Sequence, residues 1–463
     1  MIAEKTPATK LYEKIGYGLG EMASSMFWKV FSYYLPFFFS NIYGLSLDQI
    51  AILLMVTRIW DAVSDPMMGL IADRTHTKWG KYRPYLLIMA LPFSICGIAL
   101  FTTPDWSPTA KLIYAYASYI LMMTVYTGIN VPYGAMLGVI SNDSKTRTVF
   151  SSFRMMFAYA GSFAVLLLWE PLCHSFGGYD SPQGWQRAMT TIAAFCLILF
   201  LLCFRLTRER VSNEGNQSVG HDMRSLLHNA PWWILVAAVL CSNLFNTIRG
   251  CTTAYFFKDV IGPDVHMQLG GMEFLFYAGL FLSIGEISNM IGVAIAPALS
   301  GAIGKKSAFI ASFSIVAALS ILFFYIPNDN AGCWMMIALQ IGISIFTGII
   351  SPLIWSLYAD VSDYARLRDG TASTGLIFSS ASMAQKFGSA FGGAFVMWML
   401  AMFGYNTQTD AAQTAQSIHG LKMMMSWIPG CTAMLTAIIM AFYPLTTTRM
   451  DRIRQSLTYN SSK

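Results

Sequence analysis

The chain holds 463 residues, 55% of them hydrophobic and only 12% charged, with a formal net charge of +6. A soluble globular protein carries about 25% charged residues. This composition, with a mean hydropathy of +0.51, excludes a soluble enzyme, a disordered chain and a single-pass receptor.

Taken in order, residues 1–14 are polar and basic, and no cleavable leader is expected. Apolar spans follow at 16–43, 48–73, 84–104, 110–139, 149–172, 186–206, 231–260, 270–298, 307–327, 332–359, 371–403 and 423–444. Each is long enough to cross a bilayer as a helix. The longest hydrophilic stretch, 207–230, separates six spans from six and reads as a linker. The expected fold is therefore all-α and polytopic, with twelve transmembrane helices. The expected units are residues 1–206, a linker at 207–230, and residues 231–463.

The 8 cysteines form no CxxC pair and fall mostly inside apolar runs, so they read as small apolar fillers. The 6 histidines lack metal-ligand spacing. Gly304–Ser307 imitates a phosphate loop, but Leu299 stands where the first glycine belongs. With no other nucleotide motif, ATP is not the expected energy source.

With both termini placed in the cytoplasm, 22 of the 30 Lys and Arg fall on the cytoplasmic side. Only Lys111, Arg187, Lys258 and Lys422 fall outside. That asymmetry fixes the expected orientation under the positive-inside rule. Lys29, Arg58, Arg249 and Lys386 lie within spans, where charge is costly and marks function.

The second span concentrates this charge. Arg58, Asp61 and Asp65 stand at i, i+3 and i+7, on one helix face. One arginine neutralises one carboxylate, and the other calls for a proton or a metal cation. Pro66 cannot donate to the carbonyl of Ala62, which leaves a backbone oxygen beside the acids. Ser64 adds a hydroxyl, completing an oxygen-rich setting for a hard cation such as Na⁺. The basic loop that follows holds Asp73, Arg74, Lys81 and Arg83, a candidate breakable charge cluster at the cytoplasmic gate.

The sequences RIWDAVSDPMMGLIADR (58–74) and TKWGKYRP (77–84) resemble the glycoside–pentoside–hexuronide:cation symporters of the major facilitator superfamily. Further matches follow in register: KIGYGLGE (14–21), YTGINVPYGAM (126–136), Arg154, YADVSDY (358–364), QKFGSAFGG (385–393) and FGYN (403–406). The resemblance implies the major facilitator fold, two pseudo-symmetric six-helix bundles that work by alternating access. It also implies a coupling-cation site at Asp61, Asp65, Ser64 and Thr127, where Ser64 replaces the asparagine of the family pattern. Na⁺, Li⁺ and H⁺ all remain open as the coupling ion, and no other cofactor is expected.

For the sugar, the resemblance points to Ser25, Asn130, Arg154 and Lys386, and the residues themselves add Lys29, one turn from Ser25, with Tyr126 and Trp355 as aromatic walls. The family pattern has acids where Ser25 and Asn130 stand, and a tryptophan where Gly134 stands. Aromatic walls for a sugar were sought among Trp28, Tyr33, Tyr34, Tyr126, Tyr133, Trp355 and Tyr358, and amides among Asn130, Asn243, Asn246 and Asn289. The surviving cations Lys29, Arg154, Lys386 and Arg249 leave an acidic and a neutral sugar both open. The leading expectation is cation-coupled symport of a glycoside, pentoside or hexuronide across a bacterial inner membrane. The alternative is transport of a lysolipid or another amphiphile on the same fold. The expected partners are the sugar, the cation and the bilayer, with no nucleic acid, and the chain is read as a monomer. A single cysteine placed at Ser218 is expected to react with an impermeant thiol reagent only in inverted vesicles. Labelling from the outside of intact cells contradicts the orientation.

Overall fold

A computed structural model describes residues 10–141, 144–210, 228–262, 265–269, 272–327, 329–369, 374–408 and 412–461. The first compact unit contains α1 (Leu11–Tyr33), α2 (Leu47–Arg74), α3 (Ala90–Leu100), α4 (Pro108–Ile140), α5 (Ser144–Ser175) and α6 (Pro182–Leu206). The second contains α7 (Ala230–Phe256), α8 (Ala278–Ile303), α9 (Lys305–Leu322), α10 (Asn330–Asp369) and α11 (Thr374–Met402), followed by α12 (Ala415–Ala441, interrupted at Ser426) and α13 (Thr447–Ser461).

Among the described residues, eight helices are long and apolar enough to cross a membrane. The remaining predicted spans, α1, α2, α3 and α11, are also helical. They are diluted for readable reasons: α1 carries Glu13, Lys14, Glu21 and Lys29, and α2 carries its charged triad. The third span is split at Met89 into Arg83–Ile88 and α3. On α2, Ile52, Val56, Ile59, Val63, Met67 and Leu70 are exposed at helical spacing, an apolar stripe for lipid that leaves the charged face inward.

The two units repeat one packing scheme. In the first, α1 packs on α5 and α6, α2 on α4, and α3 on α4 and α6. In the second, α7 packs on α11 and α12, α8 on α10, and α9 on α10 and α12. The first helix of each unit ends in wide π turns, Phe38–Tyr43 and Phe257–Ile261. Each π segment stops at a glycine with positive φ, Gly44 at 86° and Gly262 at 96°, a conformation that costs glycine little. The sequences confirm the match: TGINVP at 127–132 is answered by TGIISP at 347–352.

Three boundaries differ from expectation. The start of the eighth predicted span holds a strand, β2 (Met272–Leu275), paired antiparallel with β1 (His266–Leu269) just before it, and α8 begins only at Ala278. Alternation of Met267 and Phe274 with Gln268 and Glu273 suits a half-buried ribbon better than a lipid-facing helix. A further helix, α13, follows the twelfth span. Of the expected linker, 207–210 is bound to the first unit, 211–227 lies outside the described residues, and α7 starts at Ala230.

The α8–α10 contact is the closest approach used below. A Cβ at Gly292 would collide with the Ile345 carbonyl, and one at Gly348 with the Asn289 main chain. Small residues of this kind let membrane helices touch backbone to backbone. In the first unit the matching Gly128 has room, its nearest neighbour being the flexible Met89 side chain at 3.5 Å. Gly348→Ala is therefore expected to cost about 1–3 kcal/mol through overpacking and to lower the unfolding temperature in detergent. Gly128→Ala is expected to leave that temperature nearly unchanged, and equal effects contradict the contrast.

Candidate functional site

Ser46 starts α2 with a reciprocal cap, its hydroxyl accepting from the Gln49 N–H at 3.3 Å and Gln49 Oε1 accepting from the Ser46 N–H at 3.1 Å. Three turns on, Arg58 Nη1 lies 3.1 Å from Asp61 Oδ2, and both side chains are buried. The guanidinium also sits 4.7 Å from the ring centroid of Trp28 on α1, which in turn packs against Tyr126 of α4 at 5.7 Å. Arg58 is thus clamped by an acid of its own helix and a ring from the next.

One turn beyond Asp61, Asp65 Oδ1 accepts from Thr127 Oγ1 of α4 at 2.9 Å. Ser64 is buried with its hydroxyl 3.4 Å from the Asp61 carbonyl. Thr127 thus joins Asp65 across the α2–α4 contact, while Asp61 and Ser64 are held by bonds within α2. Pro66 and Pro132 lie inside α2 and α4, so the carbonyls of Ala62 and Gly128 lack a helical donor there. The donors are oxygens throughout: carboxylates, hydroxyls and main-chain carbonyls. Among the described residues no three His, Cys, Asp or Glu side chains gather. Such a set suits a hard monovalent cation or a proton better than a thiophilic or imidazole-seeking metal.

The predicted sugar residues divide. Arg154 of α5 is paired with Glu21 of α1, and its guanidinium lies 5.3 Å from the ring centroid of Tyr133. Tyr133 stacks on Tyr17 at 4.7 Å and donates to its carbonyl at 2.7 Å. Lys29 Nζ donates to Tyr33 at 3.2 Å, and Glu21 serves Arg154. Asn130 Nδ2 donates to the Tyr126 carbonyl at 3.0 Å, and Ser25 lies half-buried one turn from Lys29. In the second unit Trp355 is 38% exposed on α10, and Lys386 is half-buried on α11.

Some expected wall and charge residues do other work. Tyr34, Tyr133 and Tyr358 are fully buried core rings, and Tyr34 donates to Glu170 at 2.9 Å. Arg249 lies buried in the second unit, donating to the Met425 carbonyl at 3.0 Å and to Gln340 Oε1 at 2.9 Å. Pro429 is the residue that would have bonded that carbonyl, so Arg249 repairs the break in α12. It is a structural cation.

Of the predicted gate, Arg74 is exposed, and the side chain of Asp73 lies outside the described residues. Arg83 donates to the Phe204 carbonyl at 2.7 Å and stacks on the Phe204 ring at 4.8 Å. The Glu209 carboxylate accepts from the backbone N–H groups of Lys81, Tyr82 and Arg83 at 2.8, 2.7 and 2.7 Å. Arg210 pairs with the buried Glu13, and its N–H bonds the Val139 carbonyl at 2.8 Å. Sequence reading missed this stitching of loop 77–83, α1 and α4 by two residues assigned to a linker. In the second unit, Lys305 at the start of α9 pairs with the buried Asp360 of α10 at 2.7 Å.

Comparison with known proteins follows the same lines. The family described as "MFS/sugar transport protein" matches residues 16–447. A putative glycoside/cation symporter of Escherichia coli, YagG, is 35% identical, covering 96% of this chain and 94% of its own. The isoprimeverose transporter of Lactiplantibacillus pentosus is 28% identical, over 96% and 90%. Among solved structures, a bacterial homologue of the human drug peptide transporters PepT1 and PepT2 superposes with a TM-score of 0.69. It shares 15% identity and covers 96% of this chain and 100% of that one, which shows the fold alone.

Proposed function

This chain belongs to the MFS/sugar transport protein family, and from that premise we propose that it couples a gradient of Na⁺ or H⁺ to uptake of a glycoside-type sugar by alternating access. It is a multi-pass membrane transporter and not an enzyme. The observation that carries the coupling is the α2–α4 contact, where Asp61 and Asp65 share one helix face and Thr127 bonds the second acid. Two intramembrane carboxylates beside one guanidinium are costly unless a further positive charge joins them. A cation held there ties α2 to α4, and by linkage it raises the affinity for sugar by the factor that sugar raises its own.

The sugar is read as a neutral glycoside or pentoside. Glu21 balances Arg154, which removes one of the cations that would call for a hexuronide. The isoprimeverose relative agrees with this choice. In this reading, cations enter through Asp65 and Thr127, while Trp28, Tyr126 and Asn130 of the neighbouring helices meet the sugar.

Asp61→Asn and Asp65→Asn are each expected to abolish gradient-driven accumulation in vesicles, while exchange of labelled for unlabelled sugar at equal cation partly survives. If either variant concentrates sugar as the wild type does, the α2 acids are structural and the coupling reading fails.

A further inference from the structure

The cation site has a counterpart in the second unit. Thr347 Oγ1 lies 3.0 Å from Asn289 Oδ1, which repeats on α10 and α8 the bond from Thr127 to Asp65 on α4 and α2. Ser288 precedes Asn289 as Ser64 precedes Asp65, and Thr347 opens TGIISP as Thr127 opens TGINVP. The copies differ in their charge: the second acid has become an amide, Gly285 stands at the place of Asp61, Leu282 at that of Arg58, and the buried Glu286 at that of Ala62. The threonine bond is kept, while the residue that receives it has lost its negative charge.

An amide bonded in this way offers something else. With its oxygen turned to Thr347, Asn289 presents its Nδ2 donors, and no group of the described residues accepts from them. Half-buried Asn289 is held in place because Gly348 lets α10 press on its main chain. It also lies against a polar stripe. Gln340, Ser344, Thr347, Ser351 and Trp355 follow at spacings of four, three, four and four, one face of α10. The exposed Met335 lies on the opposite face. The stripe opens along its length, from Ser344 at 4% through half-buried Thr347 and Ser351 to Trp355 at 38%. Hydroxyls and amides are enriched where membrane helices face protein.

We propose that Asn289 and Thr347, with Ser351 one turn along α10, form a sugar-hydroxyl subsite, the neutral counterpart of the cation site. Asn289 Nδ2 donates to a sugar hydroxyl, Ser351 accepts from or donates to the next, and Trp355 supplies the flat apolar wall that a sugar ring requires. The proposal rests on the glycoside symport reading and adds specificity residues to it. A negative charge on the sugar gains nothing from this subsite.

The test is equilibrium binding to purified wild type, Asn289→Ala, Thr347→Val and Ser351→Ala, with a panel of neutral glycosides that includes isoprimeverose. Na⁺ affinity is measured separately without sugar. Asn289→Ala and Thr347→Val are each expected to weaken sugar binding about fivefold, the loss of one neutral hydrogen bond. Na⁺ affinity is expected to stay within about twofold, as for distant independent sites. Ser351→Ala, which removes a hydroxyl away from the close helix contact, gives the same readout should the other two fail to fold. Unchanged sugar affinity in the folded variants overturns the subsite alone. So does an equal loss of sugar and Na⁺ affinity with lowered thermal stability, which marks a mere helix tie. A wild type that binds and concentrates no sugar of the panel overturns the symport reading, and the subsite with it.

Discussion

Two carboxylates on one face of a membrane helix, with a single arginine between them and α1, form the constraint on which the rest depends. Asp61 is fully buried and bound to Arg58, which is stacked on Trp28. Asp65, one turn on, reaches across to Thr127. A bilayer offers no water to dilute that charge, so the helices around it must supply donors or admit a cation. The prolines that break the hydrogen-bond ladder of α2 and α4 add carbonyl oxygens in the same place. Helix packing and ion chemistry are therefore one problem at this contact.

The second unit carries the same contact with the bonded acid replaced by an amide. Its α8–α10 contact retains the threonine and a short polar partner, but glycines at 292 and 348 draw the helices together. In the first unit the corresponding approach is looser, with room at Gly128. A site that must gain and lose a cation benefits from that slack, whereas a neutral site can be rigid. The buried Arg249 fits the same view. It satisfies a broken helix in the second unit.

Much of this was legible in the sequence, and the remainder was hidden for physical reasons. Asp61, Asp65 and Arg58 could be placed together because helical spacing alone puts them on one face. Thr127 came from the family resemblance, since 62 residues separate it from Asp65. The pairing of Glu21 with Arg154 spans 133 residues, and spacing says nothing about it. Glu209 was assigned to a linker because its partners are three main-chain N–H groups of a distant loop, which carry no sequence signal. Residues 272–275 fell at the start of a predicted helical span, although their alternation suits the ribbon they form with 266–269. Asn289 stands at a place analogous to the second span, but its bond to Thr347 spans 58 residues and is marked only by the repeated TGI and proline of α4 and α10.

The central claim is that cation and sugar stabilise one another through the α2–α4 contact. Calorimetric titration of the purified protein tests it most directly, with sugar affinity measured with and without Na⁺ at two pH values, and Na⁺ affinity measured with and without sugar. The account predicts that the coupling ion, Na⁺ or H⁺, raises sugar affinity, that sugar raises the affinity for that ion by the same factor, and that Asp65→Asn removes both effects. Sugar affinity that is indifferent to both ions in the wild type contradicts it.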